Sequence, residues 1–228
     1  MQSESKRKCL VVRGGWDGHT PVESTNLFVP LLEKAGFEVE ISESTERYLG
    51  GDLADFALIL QCVTMSEIQK EEWQALSEAV RGGVGFGGWH GGVIDAFRQN
   101  TDYQFMVGGQ WVAHPGNVIP GYRVNVISDH PITRGIPSFD LKDTEQYYNH
   151  IDPGVNVLCE TEFSGEYGDG SLYPAGVRMP YAWTRQYGEG RVFVACWGHT
   201  FKDFETESPL RITLRGLCWA AGLDELPE

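Results

Sequence analysis

The segment that most restricts what this chain can become runs from Val84 to Phe97. A short apolar stretch, Val84–Phe86, passes directly into Gly87, Gly88, Trp89, His90, Gly91 and Gly92, after which the pattern turns helical. Glycines on both sides of one residue permit the tight strand-to-helix turn that lifts a side chain above the carboxyl edge of a sheet. Here the lifted residue is His90. Ligands of open α/β sheets bind at that edge, so the location alone makes His90 a candidate site residue. The alternative is a glycine-rich loop whose histidine only caps or packs.

Neighbouring segments support a parallel sheet covered on both faces. Leu10–Val12 reads as a buried first strand that Gly14 and Gly15 end, and Phe56–Cys62 is a continuous apolar run suited to a central strand. Phe37–Ile41 alternates as a further strand. Thr20, Pro21 and Glu23 form a capping-box start for a helix whose apolar face is Leu27, Phe28, Leu31 and Leu32, with Pro30 expected to kink it. Ser66–Gln69 repeats the capping pattern ahead of Trp73, Leu76 and Val80. From Asn117 onward the pattern is of short strands and loops. Tyr187-Gly188-Glu189-Gly190 marks a hairpin between Tyr181–Arg185 and Arg191–Cys196, and Leu210–Ala221 closes as a helix.

A chain of 228 residues with 41% hydrophobic and 22% charged residues can bury one sizeable core, so a single domain over residues 9–224 is expected after a flexible segment 1–8. The formal charge of −14 opposes phosphate backbones and anionic membranes, which excludes nucleic acid and membrane as expected partners. No apolar stretch is long enough to span a bilayer, and no secretory h-region opens the chain. Five cysteines lack metal or redox spacing and sit mostly among apolar neighbours, as buried thiols of the reducing cytoplasm do. A symmetric homodimer is the default assembly.

Four histidines fall where glycine-rich or irregular sequence follows a strand or flanks a turn: His19, His90, His114 and His199. Loops that follow parallel strands converge on one edge, so these imidazoles are expected to meet. Three of them with a carboxylate such as Glu145 would suffice for a divalent metal ion, although no tight ligand spacing marks such a site and the metal stays open. Trp16, Trp89, Trp111, Tyr147, Tyr148 and Trp197 interleave with these positions, which suits stacking of a sugar ring against aromatic faces. Ordinary burial is the competing explanation for each.

Several blocks carry a family resemblance. Gly88-Trp89-His90-Gly91, Val107-Gly108-Gly109 with His114-Pro115, Asp129-His130-Pro131-Ile132, Tyr181–Phe193 with Gly198-His199, and Arg215–Gly222 together resemble the ThuA-like (trehalose utilisation) family from Leu10 to Gly222. The resemblance implies a flavodoxin-like, glutamine-amidotransferase-like three-layer α/β sandwich with a mainly parallel central sheet and a C-terminal β-hairpin. It also implies a role in disaccharide catabolism, notably through 3-keto sugars. His90 stands at the elbow where glutamine hydrolysis needs a cysteine nucleophile, so that reaction is excluded. Thr144-Glu145-Gln146-Tyr147 matches the family's Asp-Glu-x-Tyr motif except at the aspartate.

The expected activity is acid-base chemistry by His90, His114, Glu145 and His199 on a disaccharide, glycoside or 3-keto sugar. Trp16, His19, Trp89, Trp111, Tyr147 and Trp197 are expected to bind that small-molecule carbohydrate. A non-catalytic sugar-binding or regulatory module on the same fold is the competing expectation.

Overall fold

In the computed structural model, residues 7–173 and 175–227 are described. Positions 1–6 of the expected flexible segment lie outside the described residues, whereas Arg7 and Lys8 already pair with Phe37 and Glu38 in the sheet. In chain order the elements are β1 (Arg7–Gly15), α1 (Pro21–Lys34), β2 (Phe37–Ser42), β3 (Leu58–Thr64), α2 (Lys70–Arg81), β4 (Gly85–Trp89), α3 (Gly91–Ile94) and α4 (Thr101–Val107). They continue with β5 (Gly109–Ala113), β6 (Val118–Val126), β7 (Phe139–Glu145), β8 (Tyr148–Ile151), β9 (Asn156–Glu162), β10 (Arg178–Tyr187), β11 (Gly190–Ala195) and α5 (Glu207–Ala220).

Nine strands form one sheet in the order β2-β1-β3-β4-β11-β10-β9-β6-β7, and β5 pairs with β8 apart from it. The sheet is mixed, which corrects the expectation of a mainly parallel one. β2, β1, β3, β4 and β11 are parallel neighbours. β10, β9, β6 and β7 extend the sheet with antiparallel pairings. Connection chemistry explains the change, because parallel neighbours need a long crossover, usually a helix. Among the described residues of 118–195 there is no helix, so those strands pair antiparallel.

β3 is buried at all seven positions, as its apolar run requires of a central strand. Its one polar interior residue, Gln61, is fully engaged. Gln61 accepts from the Tyr48 hydroxyl at 2.9 Å and donates to Gly92 O at 3.1 Å and to the Tyr103 hydroxyl at 2.7 Å. A satisfied buried amide of this kind fixes the turn above β4 rather than weakening the core. β4 itself is sandwiched: a Cβ on Gly85 would stand 2.3 Å from Ala220 O of α5, while Phe86 meets Tyr103 of α4 at 6.3 Å.

The helix starts differ from their sequence patterns. Thr20 sits in the left-handed region at φ 46° and does not cap α1; its hydroxyl pairs with Ser24 Oγ at 3.1 Å and accepts from Phe201 N–H at 3.0 Å. The preceding turn, Asp17–His19, leaves Thr20 in that conformation. The second capping box also moves along the chain, being formed by Gln69 and Glu72. Pro30 lies within α1, and the C-terminal hairpin of β10 and β11 forms as expected. Among the described residues, no helix is long and apolar enough to cross a membrane.

Candidate active site

Strands β1, β4 and β11 end at one edge of the parallel half, and each delivers a histidine. β1 leads into the turn Asp17–His19, which buries His19. β4 ends at Trp89, and His90 follows at φ 49°, ψ −143°, a conformation that non-glycine residues rarely hold. Its N–H donates to Ala195 O at 2.7 Å, and its carbonyl accepts from Val93 and Ile94 N–H at the start of α3. The expected elbow is therefore present. Gly91 follows because a Cβ there would stand 2.5 Å from His19 Nδ1. Beyond β11, Gly198 at φ 94° turns the chain into His199.

Glu145 arrives from the opposite side. β7 lies five strand spacings from β4 in sheet order, about 24 Å if the sheet were flat. Glu145 Oε2 nevertheless lies 3.2 Å from His90 Nε2, so the antiparallel half curls back over the carboxyl edge. His19 Nε2 is 3.7 Å from the same oxygen, while His199 Nε2 and His114 Nε2 are 3.7 and 4.0 Å from Oε1. One carboxylate thus faces four imidazoles. Side-chain exposure rises from 1% at His90 through 5% at His19 and 12% at His199 to 30% at His114, which places the opening on the His114 side.

Proton positions follow from the partners. His90 Nδ1 lies 2.8 Å from Cys196 O, a carbonyl that only accepts, so Nδ1 carries a hydrogen and Nε2 is the nitrogen turned to Glu145. His19 Nδ1 is similarly tied to Thr64 Oγ1 at 3.1 Å. Burial pushes the His90 imidazole down to about 3, a trend that its bond to Glu145 opposes, and burial also lowers His199. Burial acts to raise the Glu145 carboxyl, but hydrogen bonding to His19 and His90 and the charges of His90 and His199 hold it well below the usual carboxylate range. Burial thus biases His90 and His199 toward neutral imidazole, while Glu145 is held as the anion.

Other residues hold this arrangement, and sequence reasoning missed them. Asp203 Oδ2 accepts from Gly198 N–H at 2.8 Å, His199 N–H at 3.1 Å and Thr144 Oγ1 at 3.0 Å, tying the His199 turn to β7. Burial pushes its carboxyl up to about 6 against those bonds. The Tyr122 hydroxyl donates to the Glu145 carbonyl at 2.8 Å and lies 2.7 Å from the Tyr181 hydroxyl, which accepts from Tyr147 N–H at 3.1 Å. The only sequence signal for Asp203 was an acid four residues past a Gly-His turn. The tyrosines gave none, since their partners lie 23 to 59 positions away.

The expected aromatic wall divides. Trp16 is 47% exposed and stands edge-on to His19 at 4.8 Å, and Trp111 is half-buried 5.4 Å from His114. Tyr147 is 1% exposed and stacks on His90 at 3.7 Å, so it supports the imidazole from behind. Trp89 and Trp197 are corrected to core residues. Trp89 packs on Phe28 and Phe204, and Trp197 is fully buried with its Nε1–H donated to Thr213 Oγ1 at 2.9 Å. Trp89 directly precedes His90, and successive side chains of an extended chain point to opposite faces, whereas Trp197 is separated from His199 by the turn at Gly198, φ 94°. His130, 5.5 Å from Trp219, and the exposed His150 stay outside it.

A cleft of about 330 Å³ lined by Trp111, His114, Asn117 and Tyr173 adjoins the open side of the centre. The larger cleft of about 480 Å³, lined by Ser66, Trp73, Phe97 and Asn100, touches none of the four histidines.

Residues 8–220 match the family model described as ThuA, trehalose utilisation. The chain belongs to the ThuA family. No curated protein matches it. A ThuA-like protein of Bacteroides uniformis shares the fold at 19% identity with a TM-score of 0.78, over 96% of this chain and 93% of that one. Another from Parabacteroides merdae does so at 18% identity and a TM-score of 0.74, over 98% and 92%. A β-galactosidase of Rahnella sp. R3 is similar at 13% identity with a TM-score of 0.63, over 99% of this chain but 33% of the longer enzyme. These likenesses establish the fold. Membership of the ThuA family supports a carbohydrate-related role. The segment Thr144–Tyr147 falls on the centre: Glu145 is its carboxylate, Tyr147 stacks on His90, and Thr144 spends its hydroxyl on Asp203.

Proposed function

We propose that this ThuA-family chain is an enzyme of carbohydrate catabolism that transfers protons on a disaccharide, glycoside or 3-keto sugar. The observation that carries this reading is the convergence of four imidazoles on the single buried carboxylate of Glu145. Imidazole changes protonation close to neutral pH, and a carboxylate within 4.0 Å stabilises the imidazolium formed when it takes a proton. His114 and His199 are the most accessible and accept or return the proton. His90 and Glu145 set the field behind them.

The surroundings suit a sugar. Trp16 exposes a large aromatic face beside His19, and the cleft at His114 brings Trp111 and Tyr173 together with the amide of Asn117. Apolar C–H faces of a pyranose pack on such rings while amides and imidazoles bind its hydroxyls. The β-galactosidase likeness adds a carbohydrate-active protein that carries the same fold within a longer chain.

Assay of the purified protein against trehalose, other disaccharides and their 3-keto derivatives tests the reading. Turnover of at least one, reduced about 100-fold or more in His114→Ala, is expected. Absence of both turnover and binding across the panel rejects the carbohydrate assignment. Turnover lost with binding retained in His90→Ala rejects a pure binding module.

A further inference from the structure

Two of the distances around Glu145 fit neither hydrogen bonds nor bridging waters, although His90 Nε2, 3.2 Å from Oε2, is within hydrogen-bond reach. His19 Nε2 and His199 Nε2 lie 3.7 Å from the carboxylate oxygens. An N–H···O bond closes to about 2.7–3.2 Å, and a water bonded to both atoms at about 2.8 Å would hold them about 4.4 Å apart. A separation between those two values is that of two ligands sharing one ion, since donors about 2.1 Å from a tetrahedral metal stand about 3.4 Å from each other. The donor atoms of His19, Glu145 and His199 all lie within 4.8 Å of one another.

Hydrogen bonding behind the site points the same way. His19 gives its Nδ1 to Thr64, so Nε2 is the nitrogen that faces the carboxylate. His90 gives its Nδ1–H to the Cys196 carbonyl, and its Nε2 stands against the carboxylate, 3.2 Å from Glu145 Oε2. Ring tautomers fixed from behind by a hydroxyl or a carbonyl are the usual support of metal-ligating histidines. The Tyr122 hydroxyl holds the Glu145 main chain at 2.8 Å, and Asp203 holds the His199 N–H at 3.1 Å, so both ligands arrive on anchored backbone.

We propose that His19 Nε2, His199 Nε2 and the Glu145 carboxylate form the binding site of one divalent transition-metal ion. Two imidazoles and one carboxylate select zinc, iron, manganese, cobalt or nickel over magnesium and calcium, which prefer all-oxygen shells. Three protein ligands leave an open position on the side where His114 is exposed. A water or substrate oxygen held there is polarised by the ion, and His114 is left as the group that exchanges the proton. His90 lies against Glu145 and positions that ligand. The inference rests on the proposed activity only for which reaction the ion would serve; the site itself rests on the geometry.

The test is metal content, which requires no substrate. Protein purified without a polyhistidine tag is stripped with chelator and dialysed against zinc, manganese, iron(II), cobalt or nickel. Elemental analysis is expected to give about one equivalent of at least one of these, with Tm raised by about 5–10 °C. His19→Ala, His199→Gln and Glu145→Gln are each expected to retain less than about a tenth of an equivalent, while His150→Ala, outside the centre, retains the full amount. In the cobalt form the visible d–d absorption is expected in the wild type and in His150→Ala only. His199→Gln, on a partly exposed turn, serves as the folded ligand variant if His19→Ala does not fold, with circular dichroism confirming the fold. Wild-type protein that takes up less than a tenth of an equivalent of every metal, with no shift in Tm, overturns the site, as does full occupancy in a folded His199→Gln. One equivalent of metal without sugar turnover upholds the site and rejects the proposed activity. Sugar turnover by protein that takes up none of these metals does the reverse.

Discussion

The parallel half of the sheet delivers His19, His90 and His199 from strands that lie within four consecutive positions, β1-β3-β4-β11. The antiparallel half delivers Glu145 from the far edge strand, and it reaches the same point only because the sheet curls. The first group is fixed locally, by strand ends, the elbow at His90 and one close-packed glycine. The second depends on ties made across the molecule: Tyr122 on the Glu145 carbonyl and Thr144 on Asp203. A centre assembled this way has a rigid wall of imidazoles and a carboxylate whose position is held from outside.

The strongest way to break the comparison is to neutralise the one group on which both halves converge. Glu145→Gln is expected to lower kcat about 1,000-fold, since the central charge is lost. In chelator its Tm is expected to stay close to the wild-type value, because the isosteric amide keeps a hydrogen-bonding group within reach of His90 Nε2 and removes the cost of a buried charge. Steady-state kinetics and thermal unfolding check the two parts. A large fall in Tm would mean that the carboxylate holds the halves together rather than serving the reaction.

Cutting a tie should cost less. Asp203→Ala strands three donors, Gly198 N–H, His199 N–H and Thr144 Oγ1–H, and about 3 kcal/mol of stability is expected to go with them. Asp203→Asn, which keeps an acceptor oxygen, should recover part of that loss in urea unfolding. Activity should follow stability in both variants if the tie only positions β7 against the His199 turn.

On the parallel side, Gly91→Ala places a methyl group 2.5 Å from His19 Nδ1 and 2.9 Å from Thr64 Cγ2. Overpacking of that kind is expected to cost about 2 kcal/mol and to lower kcat by displacing His19, as urea titration and kinetics would show. Trp16→Ala acts outside both halves. A roughly 10-fold rise in KM with kcat little changed is expected if the exposed ring binds sugar.

The smallest effect concerns the five buried cysteines. Burial pushes the thiols of Cys62, Cys159 and Cys218 up to about 12 and raises those of Cys9 and Cys196 as well. At pH 8 the native protein is expected to react with thiol reagents at a negligible rate, and all five thiols should appear only in denaturant.

What the sequence determined by itself is what short-range pattern encodes. The apolar run of β3, the glycines around His90 and the turn at Tyr187–Gly190 were legible, because strand burial, elbow geometry and hairpin closure each depend on a few adjacent residues. The matching of Glu145 and Tyr147 to a family motif named the carboxylate before its position was known. Tertiary structure alone decided the rest. Whether Trp89 and Trp197 face the site or the core turned on distant packing partners, Phe28 and Phe204 for the first and Thr213 for the second. The partnership of Thr144 with Asp203 spans 59 positions, and that of Glu145 with His90 spans 55. Contacts at such separations follow from how far the antiparallel strands curl, a property of the whole sheet that no local stretch of sequence carries.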